Sequence, residues 1–143
     1  MKHITQLLII ALLLVSCGSS NSISENATQN DVPEEDIVRI ANEDIEYEII
    51  IIEPGFNGWL QSIARPEGYY SQSYMETRNR IYVQEWNSRV IQVNRFDPSL
   101  YEMRIDYSSN IDYGYDVNYK LYNYFIYFQL KHKQQLGTFQ PRI

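Results

Sequence analysis

Four consecutive isoleucines, Ile49 to Ile52, constrain the fold of this chain more than any other feature. Side chains in a β-strand alternate between two faces, so such a run requires apolar cover on both faces. The run ends at Glu53, and the following Pro54-Gly55 pair breaks the strand. We therefore expect a long strand over residues 45–53 whose second half is packed from above and below.

A short strand and a short helix are predicted on either side of this strand. Residues 37–41 have the composition of a strand, and residues 42–44 offer a turn, although a helix over residues 37–45 is the competing interpretation. After the Pro-Gly break, Asn57 can cap a short helix that continues to Ile63. The pattern thus favours a β-hairpin followed by a helix.

Two long helices and a third strand complete the prediction. Apolar residues at helical spacing predict a helix over about residues 71–93, with Ser71 or Ser73 at its start. Strict alternation over residues 100–107 predicts a strand that is buried on one face. A last helix is predicted over residues 116–136, with its first residue as the N-cap. Its middle is apolar on nearly every side, so it must be largely buried or packed against a partner.

The predicted fold is a small α+β domain with the element order β-β-α-α-β-α. We expect a three-stranded sheet packed by two long helices and one short helix, in one globular domain over residues 37–143. The long connection between Glu53 and Leu100 allows the two main strands to be parallel.

Residues 1–16 have the pattern of a secretory signal peptide. The apolar run from Leu7 to Val15 is much shorter than the ~20 residues that span a bilayer. The motif Leu14-Val15-Ser16-Cys17 resembles the lipobox of bacterial lipoproteins, which implies lipidation of Cys17; a secreted protein with a chance cysteine is the alternative. Because Cys17 is the only cysteine, no intrachain disulfide and no cysteine-based metal site can form.

Residues 17–36 are predicted to form a lipidated, acidic and disordered tether, because they are too polar to offset the entropy of ordering. Residues 18–48 carry nine acidic residues against Arg39 alone, whereas nine acids meet ten bases from Ile49 onward. No basic surface for nucleic acid is expected. The glycine that follows the cysteine, by resemblance to lipoprotein sorting in proteobacteria, favours the outer membrane. The lack of acids in residues 18–22 favours its periplasmic face.

Tyrosine is the residue type most suggestive of binding, since it offers amphipathic area at a low entropic cost. All thirteen tyrosines lie after residue 36, and most are expected to fill the core. Four of them fall in predicted loops and are the candidates for an exposed contact surface: Tyr69, Tyr70, Tyr113 and Tyr115.

Catalytic candidates are few. A polysaccharide hydrolase needs two carboxylates, and Glu53 with Glu85 or Asp112 is the available combination. The only histidine after the signal segment, His132, lies between two lysines at the predicted end of a helix, where the helix dipole favours its charged form. We find no metal-binding pattern, no nucleotide-binding glycine motif and no sign of a cofactor.

Several segments resemble a family of small lipoproteins of unknown function from Bacteroidota. The segments are residues 46–56, 70–74, 85–87, 95–96, 111–115 and 141–143. The resemblance supports the lipoprotein interpretation and a single domain, and it implies no activity. From the lipobox, the tyrosine-rich loops and the lack of catalytic constellations, we predict a membrane-anchored envelope lipoprotein of unknown activity. It is predicted to be a non-catalytic binding or structural module, with an envelope protein or glycan as its candidate partner. The alternative is a hydrolase of envelope polysaccharide that uses Glu53.

Overall fold

The computed structural model of the protein describes residues 32–143. The predicted signal peptide, Cys17 and the predicted tether up to residue 31 lie outside the described residues. The end of the predicted tether forms a short 3-10 helix at Glu34–Asp36. Within the described range, no helix is both long enough and apolar enough to cross a membrane.

The predicted β-hairpin is confirmed. Strand β1 (Ile37–Asn42) pairs with strand β2 (Tyr47–Ile52) in antiparallel orientation, with Val38 opposite Ile51. The connection is a 3-10 turn at Glu43–Ile45, which the side chain of Asn42 caps by accepting a hydrogen bond from the backbone of Asp44. The competing helix over residues 37–45 is therefore not formed.

The three predicted helices are present with different ends. They are α1 (Phe56–Ser62), α2 (Gln72–Val90) and α3 (Gly114–Lys131). Ser71 caps α2 as predicted, by accepting a hydrogen bond from the backbone of Tyr74 at 3.3 Å. The predicted cap of α1, Asn57, lies inside that helix instead, and its side-chain amide donates to the carbonyls of Glu35 and Ile37. Helix α3 starts two residues before the predicted cap Asp116 and ends at Lys131, well before Leu136.

The predicted three-stranded sheet is wrong, because the sheet of the described chain has two strands, β1 and β2. Residues 100–107 are not a strand, since side chains of α2 bind their backbone. The indole Nε1 of Trp86 donates to the carbonyl of Met103 at 2.8 Å. The side chain of Asn87 donates to the carbonyl of Ile105 and accepts from its N–H, both at 2.8 Å. The predicted parallel arrangement of the strand over residues 45–53 and the strand over residues 100–107 is therefore also wrong, since the second strand does not form.

The core lies between the hairpin, α2 and α3. Val38 and Ile40 of β1 are fully buried, and the middle of α3 is buried on nearly every side, as predicted. Strand β2 differs, because Ile50 is 52% exposed and Ile52 is 59% exposed. The expectation that the isoleucines are covered on both faces is therefore wrong: helices cover only one face of the two-stranded sheet.

Candidate binding groove along the outer edge of strand β2

The backbone of β2 presents hydrogen-bonding groups away from β1. The N–H of Glu53 donates to the carbonyl of Asp36 at 2.8 Å, which continues the β1–β2 register by one pair. Hydrogen-bonded pairs alternate with non-hydrogen-bonded pairs in an antiparallel ladder. Glu48, Ile50 and Ile52 thus occupy the non-hydrogen-bonded positions. Their N–H and C=O groups point outward and have no backbone partner within residues 32–143.

A groove of about 320 Å³ runs along this outer edge. One wall is β2 with the following Glu53 and Pro54, and the other is the irregular segment over residues 99–105. The floor is aromatic and consists of Trp86, Tyr124 and Phe128, with the rings of Trp86 and Phe128 in edge-to-face contact at 4.8 Å. The wall over residues 99–105 contains most of the segment that the sequence predicts as a third strand.

One end of the groove carries a buried carboxylate. Glu53 is 6% exposed, and its Oε1 accepts from the Nζ of Lys131 at 2.7 Å and lies 3.4 Å from the Nε2 of His132. Burial acts to lower the pKa of Lys131, but the hydrogen bond to Glu53 and its charge outweigh burial and leave that pKa raised. The lysine is thus held in its charged form beside the carboxylate.

The turn after Glu53 is fixed by helix α3, which also carries Lys131. The carbonyl of Pro54 accepts from the hydroxyl of Tyr127 at 2.7 Å and from Lys131 at 2.8 Å. Gly55 has a φ of 84°, and a Cβ at this position would lie 2.9 Å from the Tyr127 hydroxyl. Glycine is therefore favoured here by its backbone conformation, and a Cβ would also displace the Tyr127 hydroxyl.

The opposite end of the groove is closed by tyrosines. The hydroxyl of Tyr47, the first residue of β2, donates to the carbonyl of Asp106 at 2.7 Å. Its ring lies 4.4 Å from that of Tyr113, which stacks on Tyr107 at 4.6 Å. Burial raises the pKa of Tyr47 well above its ordinary value, so the hydroxyl stays a neutral donor. Strand β2 and the opposite wall are therefore joined at this end and separate along the groove.

The predicted partners of Glu53 do not line the groove. Glu85 accepts from Arg89 at 2.8 Å on helix α2. Asp112 accepts from the side chain of Gln72 at 2.7 Å and from the backbone of Gly114 at 2.9 Å, at the start of α3. The carboxylate that shares the groove with Glu53 is Glu102. The catalytic role of these residues stays a hypothesis.

The four tyrosines proposed for a contact surface lie in different environments. Tyr69 is exposed and stacks edge-to-face on Tyr70 at 4.7 Å. Tyr70 is half-buried beside a separate cavity. The expected exposure of Tyr113 is wrong, because it is 2% exposed and its hydroxyl accepts from the backbone of Ser108. Tyr115 lies in α3, where its hydroxyl contacts the backbone of Gly68 and Tyr70.

Sequence reasoning missed the residues that build the groove from a distance. The sequence indicates only that Lys131 is a cation near the end of a predicted helix. Nothing in the sequence around Trp86 and Asn87 indicates that they bind the backbone of residues 103–105. Across residues 32–143, no cluster of three or more histidine, cysteine, aspartate or glutamate side chains is arranged to hold a metal ion.

Comparison with known proteins identifies a family and no activity. The family DUF6146, described as a family of unknown function, matches residues 5–140. The chain belongs to DUF6146. No curated protein and no solved structure matched the chain. Membership of DUF6146 carries no statement about lipidation or source organism, so the resemblance to lipoproteins of Bacteroidota stays a prediction.

Proposed function

We propose that this DUF6146 protein is a lipid-anchored, non-catalytic binding module of the bacterial cell envelope. Its groove along β2 takes an extended segment of a partner protein as an added strand. The observation that carries the proposal is the outer edge of β2, where Glu48, Ile50 and Ile52 direct their backbone N–H and C=O groups away from β1.

The chemistry of the groove favours a strand as its occupant. An open strand edge is a template for pairing with another chain, and strand addition is a recurring mode of peptide recognition. Side chains of an added strand alternate, so one set would face the aromatic floor at Trp86 and Phe128. The other set would lie beside the exposed Ile50 and Ile52. An apolar, β-branched or aromatic segment fits both positions.

A binding role is also favoured by the state of Glu53. Its carboxylate is buried and hydrogen-bonded to Lys131, which together with Tyr127 also fixes the carbonyl of Pro54. A conformation of the turn that separated Glu53 from Lys131 would leave a buried charge uncompensated. The pair therefore favours the one conformation of the turn that keeps them together. We assign Glu53 a positioning role.

The anchor is proposed from residues 14–17, which resemble a lipobox. Several acyl chains on Cys17 would hold the protein at a membrane durably, whereas one chain alone gives marginal binding. Replacement of Cys17 by alanine is expected to move the protein from the membrane fraction to the soluble fraction of lysed cells. Continued membrane association of the Cys17→Ala chain, at the level of the unchanged chain, would contradict the anchor.

Site-specific photo-crosslinking in intact cells tests the groove. A photoreactive phenylalanine derivative is placed at Ile52, which is 59% exposed beside the groove, or at the control position Ile91, which is 70% exposed just after α2 and does not line it. We expect one discrete heavier adduct from position 52 and none from position 91. Equal adducts at both positions, no adduct at position 52, or an adduct with twice the mass of the chain would each reject a partner strand.

A second variant tests whether the contact uses the backbone. Proline at position 50 removes an outward N–H and leaves the β1 ladder intact. Combined with the photoreactive residue at position 52, Ile50→Pro is expected to abolish the adduct, whereas Ile50→Val should preserve it. An undiminished adduct from a folded Ile50→Pro chain would show that the partner does not pair with β2.

A further inference from the structure

A second cavity, of about 450 Å³, lies away from the groove, between helices α2 and α3 and residues 138–142. Its volume is within the range of small-molecule sites, about 300–1,000 Å³. Four tyrosines and two arginines dominate the lining: Tyr70, Tyr74, Tyr82, Tyr122, Arg78 and Arg142. These arginines are the only charged residues of the lining, although the chain as a whole has a net charge of −6.

Arg78 holds an unmatched charge in this cavity. Its guanidinium carbon lies 3.3 Å from the ring centroid of Phe139 and 5.2 Å from that of Tyr74. Within residues 32–143 it forms no salt bridge, and its buried Nη1 has no hydrogen-bond partner. Other arginines of α2 are matched, since Arg80 lies 3.9 Å from Glu76 and Arg89 binds Glu85. No acid of the described residues balances the charge of Arg78, so an anionic group is the ligand chemistry that would complement it.

Tyrosine rings and hydroxyls form the rest of the cavity. The rings of Tyr70 and Tyr74 are stacked at 4.8 Å, and Tyr122 meets Tyr70 edge-to-face at 5.4 Å. Burial raises the pKa of Tyr122 far above its ordinary value, so its hydroxyl is a neutral donor and acceptor. The site thus combines aromatic faces, which suit the C–H faces of a sugar ring, with hydroxyls that suit its hydroxyl groups.

We propose that this cavity binds a carboxylated sugar residue of a glycan, with its carboxylate on the guanidinium of Arg78 and its ring against Tyr70 and Tyr74. The fork of donors on arginine matches the two oxygens of a carboxylate. A peptide is a poorer fit, because α2 and α3 bond their own backbone groups and offer no strand edge here. The site is separate from the β2 groove, so its failure would leave the proposal for that groove unchanged.

Calorimetric titration of the full-length chain in non-ionic detergent tests this site, with D-glucuronate, D-glucose and inorganic phosphate as probes. Glucuronate is expected to bind, and glucose to bind at least about tenfold more weakly, because it lacks the charge-assisted hydrogen bonds. Phosphate is expected to compete weakly, since it lacks a ring. Equal binding of glucose, or phosphate binding as tight as that of glucuronate, would overturn the sugar assignment.

Matched variants on one helix locate the binding. Arg78→Gln is expected to weaken glucuronate binding by about tenfold or more, Arg78→Lys to recover it in part, and Arg80→Gln to leave it unchanged. Thermal unfolding of each variant shows whether it is folded. If Arg78→Gln unfolds, glucuronate binding is measured instead in the Arg78→Lys and Tyr70→Ala chains. Binding by both at the level of the unchanged chain would overturn the proposal. Full binding by folded Arg78→Gln, or an equal loss in Arg80→Gln, would do so as well.

Discussion

The sequence predicts a strand both at β2 and over residues 100–107, and only β2 is a strand. Strand β2 forms a ladder with β1 through alternate residues. The backbone of residues 103–105 is held instead by the side chains of Trp86 and Asn87 on α2. Alternation predicts only in part which side chains face the core: Tyr101 and Ile105 are buried, but Met103 is 66% exposed. It does not record which groups bind the backbone.

This difference explains the groove. Two segments with strand patterns lie beside each other, joined at Tyr47 and Asp106, and no ladder forms between them. The outward groups of β2 are left without a backbone partner in the described chain, whereas the opposite wall is held by a helix. We infer that the wall held by α2 keeps a strand-sized site open beside β2.

Proline substitutions at neighbouring positions of β2 give the largest expected difference. Ile51→Pro removes a ladder N–H opposite Val38 and should lower the free energy of unfolding by about 3 kcal/mol or more. Ile50→Pro removes only an outward N–H and should cost about 1 kcal/mol from the altered backbone angle. Urea denaturation measures both. Equal losses would mean that the N–H of Ile50 is also bonded within the fold.

Removal of the side chain of Asn87 should loosen the opposite wall. Asn87→Ala leaves the N–H and C=O of the buried Ile105 without partners and should cost about 2 kcal/mol. Gln84→Ala is the matched control, since Gln84 is an exposed amide on the same helix. We expect the amide of Ile105 to exchange faster with solvent in the Asn87 variant. Unchanged exchange would mean that another group holds this wall.

Alkaline pH should weaken the region where β2 and the wall meet. Burial raises the pKa of Tyr47 well above its ordinary value and that of Tyr107 to about 12. In the unfolded chain both lose their protons near pH 10, so their contribution to stability is present below that pH and decreases above it. Tyr47→Phe should cost about 1 kcal/mol at pH 8 by loss of the bond to Asp106.

The pH dependence itself provides the control for this prediction. Urea midpoints at pH 8 and pH 11 should differ less for Tyr47→Phe than for the unchanged chain, because phenylalanine has no proton to lose. The same midpoint difference in both chains would show that Tyr47 ionises alike in the folded and unfolded states.

Much of the fold follows from local patterns. The hairpin and three helices are predictable because periodic apolar residues and a serine cap act within a few residues of each other. The ends of the helices are less predictable. Helix α2 ends at Val90, three residues before the predicted end at Val93. The third strand fails for a long-range reason, since Asn87 binds Ile105 across 18 residues of sequence.

The site is less predictable than the fold. Glu53 stands out in the sequence because it ends the isoleucine run, but its partners Lys131 and His132 lie 78 and 79 residues away. The exposure of Ile50 and Ile52 could not be read from the sequence either, because it depends on which faces the helices cover. The open edge of β2 follows from these long-range arrangements together.

Residue-resolved amide hydrogen exchange along β2, measured by NMR, tests the central claim most directly. An open outer edge predicts an alternating pattern, with slow exchange at Ile49, Ile51 and Glu53 and fast exchange at Glu48, Ile50 and Ile52. A peptide with the sequence of the partner segment identified by crosslinking is then added. It should slow amide exchange at the second group of residues alone. Uniform slow exchange at all six amides of the isolated chain would contradict the account, because it would mean that the outer edge is already paired.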